Sequence, residues 1–226
     1  MRIGGLQKLT LLDFPGRVAC TVFLQGCDLR CPFCHNAGLL RGVPGISEEE
    51  LLDFLRCRQG LLDGVAVTGG EPLLAPELPE LLSKLRAMGF AVKLDTNGTH
   101  PAALRAVLEA GLVDYMAMDI KNSPEKYAAT CGRDGVLPAV RESAALLMQG
   151  RVPYEFRTTV VDELHEPEDF SAICAWLRGA QRYYLQQFVD SGDVLEAGLH
   201  AVSEEKRSRC LAAAREWIPQ TELRGV

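Results

Sequence analysis

Short apolar runs recur along the chain, each followed by a turn and then by a segment whose apolar residues fall on one helical face. Strands are predicted over 18–24, 64–68, 91–94, 115–120, 154–161 and 183–188, where β-branched and aromatic residues concentrate. Helices are predicted over 47–57, 77–88, 101–110, 137–148, 170–177 and 204–217. Ser47-Glu48-Glu49-Glu50 is a capping-box start, Pro101 opens one helix, and Gly89 and Gly111 close two others. A last short strand is predicted over 222–226.

Alternating strands and helices argue for an α/β fold with a parallel sheet and helices outside it. Six or so β/α units are too few to close an eight-stranded barrel. The expectation is an open, partial (β/α)6 TIM-like barrel in a single domain, 1–226. Ligands of such folds sit at the carboxyl ends of the strands.

Composition narrows the function. The 226 residues are 47% hydrophobic, enough for one sizeable core. The net charge of -6 and the scattered Lys and Arg argue against a nucleic-acid partner, whose phosphates call for a basic face. Met1-Arg2-Ile3-Gly4-Gly5 has no apolar signal-peptide region, and no apolar run approaches the ~18 residues of a membrane span. A cytoplasmic protein is expected, with its eight cysteines reduced rather than paired.

Three of those cysteines carry the chemistry. Cys27, Cys31 and Cys34 stand as C-x3-C-x2-C in the loop after the first predicted strand. A [4Fe-4S] cluster is normally held by four thiolates. A loop offering three would leave one iron open to a small ligand. The competing reading is structural zinc, with His35 or a distant cysteine as fourth ligand. Against it, adjacent Cys34 and His35 reach one tetrahedral ion poorly, and zinc ligands usually come as two separated pairs. Cys20, Cys57, Cys131, Cys174 and Cys210 read as packing thiols.

Polar residues cluster at the other strand ends. Gly69-Gly70-Glu71 follows one strand; its glycines let a ligand approach the backbone, and Glu71 suits an ammonium partner. Asp95-Thr96-Asn97 and Asp119-Ile120-Lys121 end the next two. Together they suit a zwitterionic ligand bearing a ribose, and a monovalent cation. Plain turns, caps and a structural Asp119–Lys121 ion pair are the competing readings. Arg157, Thr159 and Gln187 on later strands are candidates for the barrel interior, with packing or exposure an equal reading. His100, His165 and His200 receive no catalytic role.

These residues resemble the radical S-adenosylmethionine (SAM) superfamily. The resemblance rests on Cys27, Cys31 and Cys34 with aromatic Phe33 before the third cysteine, and on Gly69-Gly70-Glu71. It implies a [4Fe-4S] cluster and SAM as cofactors, with SAM's amino and carboxylate groups on the open iron. It also implies a partial (β/α)6 barrel, Phe33 near the adenine, and the glycine–glutamate element on the methionyl amino group. Ile3-Gly4-Gly5-Leu6-Gln7-Lys8, Leu12-Asp13-Phe14-Pro15-Gly16, Phe23-Leu24-Gln25-Gly26-Cys27 and Cys34-His35-Asn36 resemble activating proteins of anaerobic ribonucleoside-triphosphate reductase and, more loosely, pyruvate formate-lyase activating enzyme.

That closer resemblance implies a glycyl-radical enzyme as partner and flavodoxin or ferredoxin as electron donor. It places Asp95, Thr96 and Asp119 around a monovalent cation and Lys121 on the SAM carboxylate. Asn36, Asn97, Arg157 and Gln187 are further candidates for cofactor contact; the chain offers no plain counterpart of the histidine that helps hold SAM in the formate-lyase activator, and Gln187 is a candidate substitute for it. No catalytic side chain is implied beyond the cluster and SAM. The chain lacks the inserted ferredoxin-like domain of some activases. Two other functions remain open: a radical SAM enzyme acting on another protein, peptide or small molecule, and a non-enzymatic metal-stabilised binding module.

Overall fold

The computed structural model describes residues 1–42, 45–190 and 192–225. Eight strands form one sheet in chain order: β1 (Ile3–Thr10), β2 (Ala19–Leu24), β3 (Gly64–Gly69), β4 (Ala91–Thr96), β5 (Tyr115–Asp119), β6 (Tyr154–Val160), β7 (Tyr183–Gln187) and β8 (Thr221–Arg224). β1 runs antiparallel to β2, and every later neighbour is parallel. Among the described residues no pairing joins β8 to β1, so the sheet stays open.

The helices are α1 (Ala37–Leu40), α2 (Glu48–Arg56), α3 (Leu78–Ala87), α4 (Pro101–Glu109), α5 (Tyr127–Cys131), α6 (Leu137–Met148), α7 (Pro167–Trp176) and α8 (Glu204–Arg215). At α2 the capping box forms as predicted: Ser47 accepts from the Glu50 backbone N–H, and Glu50 accepts from that of Ser47. This is the open α/β partial barrel that the strand–helix rhythm predicts.

Successive strand residues point to opposite faces, and here the two faces differ in chemistry. Val92 and Leu94 of β4, Met116 and Met118 of β5, and Phe156 and Val160 of β6 are buried in one core with Leu81, Leu82 and Leu85 of α3 and Phe170 and Ile173 of α7. Each such side chain contributes on the order of 2 kcal/mol. The opposite face is polar. Asp95, Asp119, Arg157 and Thr159 line a cavity inside the curve of the sheet.

The structure departs from the sequence expectations at several elements. β1 has no counterpart among the predicted strands, because Gly4-Gly5 and exposed Gln7-Lys8-Leu9 break any alternation. α1 and α5 are too short to show a helical period. α7 begins at Pro167 rather than 170, since Glu166 and Asp169 form a capping box ahead of the apolar run. β8 begins at Thr221; Val226, the predicted end of that strand, lies outside the described residues. No helix among the described residues is long and apolar enough to cross a membrane.

Candidate functional site

The cysteine loop leaves the end of β2 and is tied to the turn after β3. Gly70 N–H donates to the Leu24 carbonyl at 2.9 Å, and Glu71 N–H to the Gly26 carbonyl at 2.8 Å. Cys34 N–H donates to the Cys31 carbonyl at 3.1 Å, folding the loop back on itself, and Arg30 N–H donates to the Cys131 carbonyl at 2.9 Å. Cys27, Cys31 and Cys34 all line one cavity of about 390 Å³, within the range of small-ligand sites. Burial pushes the Cys27 thiol up to about 11 and the Cys31 thiol up to about 12, with the Lys121 ammonium pulling the other way. Such thiols stay protonated until a metal displaces the proton.

Among the described residues, no three His, Cys, Asp or Glu side chains are placed to hold one metal ion. His35 instead packs against Phe188, ring centroids 5.5 Å apart. Structural zinc needs its ligands converging on one point. Three thiols spaced around a common cavity suit a cluster, where each iron takes its own thiolate. The donor set therefore fits the group that the motif implies.

Both glycines of the Gly69-Gly70-Glu71 turn are sterically required. A Cβ at Gly69, whose φ is +119°, would meet the Leu24 backbone at 2.4 Å, and one at Gly70 would meet the Gly26 carbonyl oxygen at 1.9 Å. Glu71 departs from expectation. Its carboxylate is 1% exposed and lies outside the cavity lining. It accepts from Leu73 N–H at 3.0 Å, Thr96 hydroxyl at 2.9 Å and Asn97 N–H at 2.6 Å. With three donors filling it, the carboxylate braces the β3 turn to the end of β4 rather than facing a ligand's ammonium.

Charges at the ends of β4, β5 and β6 form a chain. Arg157 Nη1 donates to Asp95 Oδ2 at 3.1 Å and Arg157 Nε to Asp119 Oδ1 at 2.9 Å. Lys93, itself 1% exposed, pairs with Asp95, and Lys121 Nζ donates to Asp119 Oδ2 at 3.1 Å. Burial opposes ionisation of both carboxyls, but Arg157 with Lys93 and with Lys121 outweighs it and holds them below the usual range. The Lys121 ammonium is held above its ordinary value by Asp119, against the effect of burial.

The residues expected around a monovalent cation all carry protein partners here. Protein cations already neutralise Asp95 and Asp119, and the Thr96 hydroxyl is spent on Glu71.

Other expected residues do meet at the cavity. Phe33, 4% exposed, lines it with Lys121 Nζ 5.9 Å from its ring centroid. Asn36 Nδ2 donates to the Gly69 carbonyl at 2.9 Å, and Asn97, Arg157 and Thr159 are in the lining. Gln187 is not: its carboxamide oxygen lies 3.4 Å from Arg207 Nη1. Gln186 lines the cavity instead. The parity of β7 explains this, since Gln187 shares the face of buried Tyr183 and Leu185. That apolar parity was the signal available in the sequence. Gln7, Asp13 and Thr21 also line the cavity. The first two come from the unpredicted β1 and the turn after it, where the sequence carries no periodic signal.

Comparison with known proteins places this arrangement. A sequence model of the Radical SAM superfamily matches residues 21–177. The chain is 32% identical over 195 residues to a Methanocaldococcus jannaschii protein assigned as a glycyl-radical enzyme activating enzyme, covering 82% of this chain and 79% of that one. It is 34% identical over 128 residues to the pyruvate formate-lyase-activating enzyme of Clostridium pasteurianum, covering 54% of this chain and 52% of that enzyme. Its fold matches Streptococcus suis SuiB bound to S-adenosylmethionine with a TM-score of 0.68 at 12% identity, over 89% of this chain and 49% of SuiB.

Proposed function

This chain belongs to the Radical SAM superfamily, and we propose that it activates a glycyl-radical enzyme, with anaerobic ribonucleoside-triphosphate reductase as partner. The superfamily works with a [4Fe-4S] cluster and SAM. The observation that carries the reading is that three motif thiols, the Gly69-Gly70 turn and Lys121 line one cavity. The names of two relatives point to activation of a partner enzyme, and one of them is matched over 79% of its length.

Each residue then has a part. Cys27, Cys31 and Cys34 would hold three irons. When bound, the reduced cluster and SAM would supply one-electron cleavage of SAM and hydrogen-atom abstraction chemistry. The backbone of Gly69 and Gly70 would receive the methionyl ammonium, and Lys121 the carboxylate. Asp95 and Asp119, kept ionised by Arg157, would accept hydrogen bonds from ribose hydroxyls. Phe33 would cover the adenine, and with Phe23 and Leu29 it gives the cavity an apolar wall that keeps water from the reacting atoms. No side chain needs to move a proton. Flavodoxin or ferredoxin would deliver the electron.

The test is transfer to a partner. The loaded, reduced protein is incubated with SAM and anaerobic ribonucleoside-triphosphate reductase, and separately with pyruvate formate-lyase. A glycyl radical signal on the reductase alone supports the full reading. A signal on formate-lyase alone reassigns the partner. SAM cleavage with no radical on either overturns the activase reading.

A further inference from the structure

Two N–H groups converge on Cys27 Sγ: the backbone of Leu29 at 3.4 Å and the side-chain Nδ2 of Asn97 at 3.7 Å. The second is unusual in how tightly it is aimed. Asn97 backbone N–H is anchored to Glu71 Oε2 at 2.6 Å. Its Oδ1 accepts from both Thr99 N–H at 2.9 Å and Thr99 hydroxyl at 2.7 Å. Its Nδ2 donates to Asp28 Oδ1 at 3.1 Å as well as to the sulfur. Asp28 is in turn held by Arg133, with His100 Nε2 3.3 Å away.

These contacts decide the amide's orientation. Turned over, it would set an oxygen against a carboxylate and a sulfur while facing two Thr99 donors with an NH2 group. The donor end must face Cys27. The buried Glu71 carboxylate from the β3 turn thus fixes the Asn97 backbone, and the half-buried Asp28 carboxylate from the cysteine loop fixes its side-chain amide against one motif sulfur.

We infer that Asn97 tunes the cluster: its N–H hydrogen-bonds the Cys27 thiolate and raises the reduction potential. This rests on Cys27 being a cluster ligand, as proposed above. Hydrogen bonds to ligand sulfurs are among the determinants of iron–sulfur potentials. The reduced cluster carries one more electron, shared onto its thiolates, so a donor at the sulfur favours reduction. Asn97 is therefore a positioning and tuning residue acting through Cys27, and Asp28 and Glu71 keep it in place.

The test compares wild type with Asn97→Ala after anaerobic reconstitution, without SAM. Iron and sulfide content and the midpoint potential by EPR-monitored titration are measured. The expected result is unchanged cluster content and a reduction equilibrium roughly tenfold less favourable, a shift of about 59 mV to more negative potential for one electron. An exchangeable proton coupled to the reduced cluster in wild type should be lost in the variant. A loaded variant with unchanged potential would overturn the inference and leave Asn97 as a turn residue. If Asn97→Ala fails to hold iron, Asn97→Asp, which keeps the acceptor used by Thr99, is read in its place, with the same negative direction expected. Loss of iron from both variants would also overturn the inference, placing Asn97 in loop folding. A wild type that holds no cluster would instead refute the site itself.

Discussion

The Glu71 carboxylate accepts the Asn97 backbone N–H at 2.6 Å, joining the turn after β3 to the end of β4 beneath the cysteine loop. Burial raises this carboxyl to about 7 from an ordinary 4.5, against the pull of its hydrogen-bond donors. Between those two pH values the native chain keeps a proton that the unfolded chain has released, so stability falls as pH rises through that window. The full span corresponds to on the order of 3 kcal/mol. Glu71→Gln removes this titration and one acceptor. Denaturant melts of the metal-free chain should show a variant close to wild type at acid pH, where the wild-type carboxyl is itself neutral, and a flatter pH dependence between about 4.5 and 7. An unchanged pH slope would remove Glu71 from the account of stability.

Arg157 spans Asp95 and Asp119, so Arg157→Ala leaves two largely buried carboxylates each short of a cation. The expected cost is about 3 kcal/mol. For a chain of this size that lowers the melting temperature by roughly 6–12 °C. Arg157→Lys should recover only part of it, because an ammonium cannot fork between two acids. Equal melting of wild type and Arg157→Ala would show the bridge to be dispensable.

At Gly70 an added Cβ would lie 1.9 Å from the Gly26 carbonyl oxygen. Gly70→Ala must push the cysteine loop away from the β3 turn. The expected outcome is a folded chain that takes up less than half the wild-type iron, on the order of 1 kcal/mol of loop distortion. Circular dichroism and iron analysis together check this. Full iron loading would mean that the loop adjusts without loss.

Neighbouring glutamines give a paired control. Gln186 faces the cavity and Gln187 faces Arg207. Gln186→Ala should change the KM for SAM or for the partner by roughly fivefold, one ordinary hydrogen bond. Gln187→Ala should leave both unchanged. The reverse pattern would show that the parity of β7 has been misread.

What the sequence makes legible is what is local. The C-x3-C-x2-C loop, the Ser47 capping box and the alternation in β6 each lie within a few residues, and the structure realises all three. Glu71 was not legible as a brace, because its donors Thr96 and Asn97 come from another strand end. The same holds for the strand-end acids. Nothing within Asp95-Thr96 or Asp119 shows that Arg157, from β6, fills the space between them. Gln187 differs: strand parity is readable there, and it sets Gln187 on the face of buried Tyr183 and Leu185. β1 could not be read at all, since an edge strand whose residues are mostly exposed or only half-buried needs no apolar alternation.

The most direct test of the central claim uses wild type and Cys31→Ala, reconstituted anaerobically with iron and sulfide, reduced with dithionite and given SAM. The cluster EPR spectrum and released 5′-deoxyadenosine are measured together. The expected result is a [4Fe-4S] signal that changes on SAM addition with formation of 5′-deoxyadenosine in the wild type, and neither in Cys31→Ala. A wild type that cleaves no SAM, or a Cys31→Ala variant with an intact cluster spectrum and normal cleavage, would contradict the account.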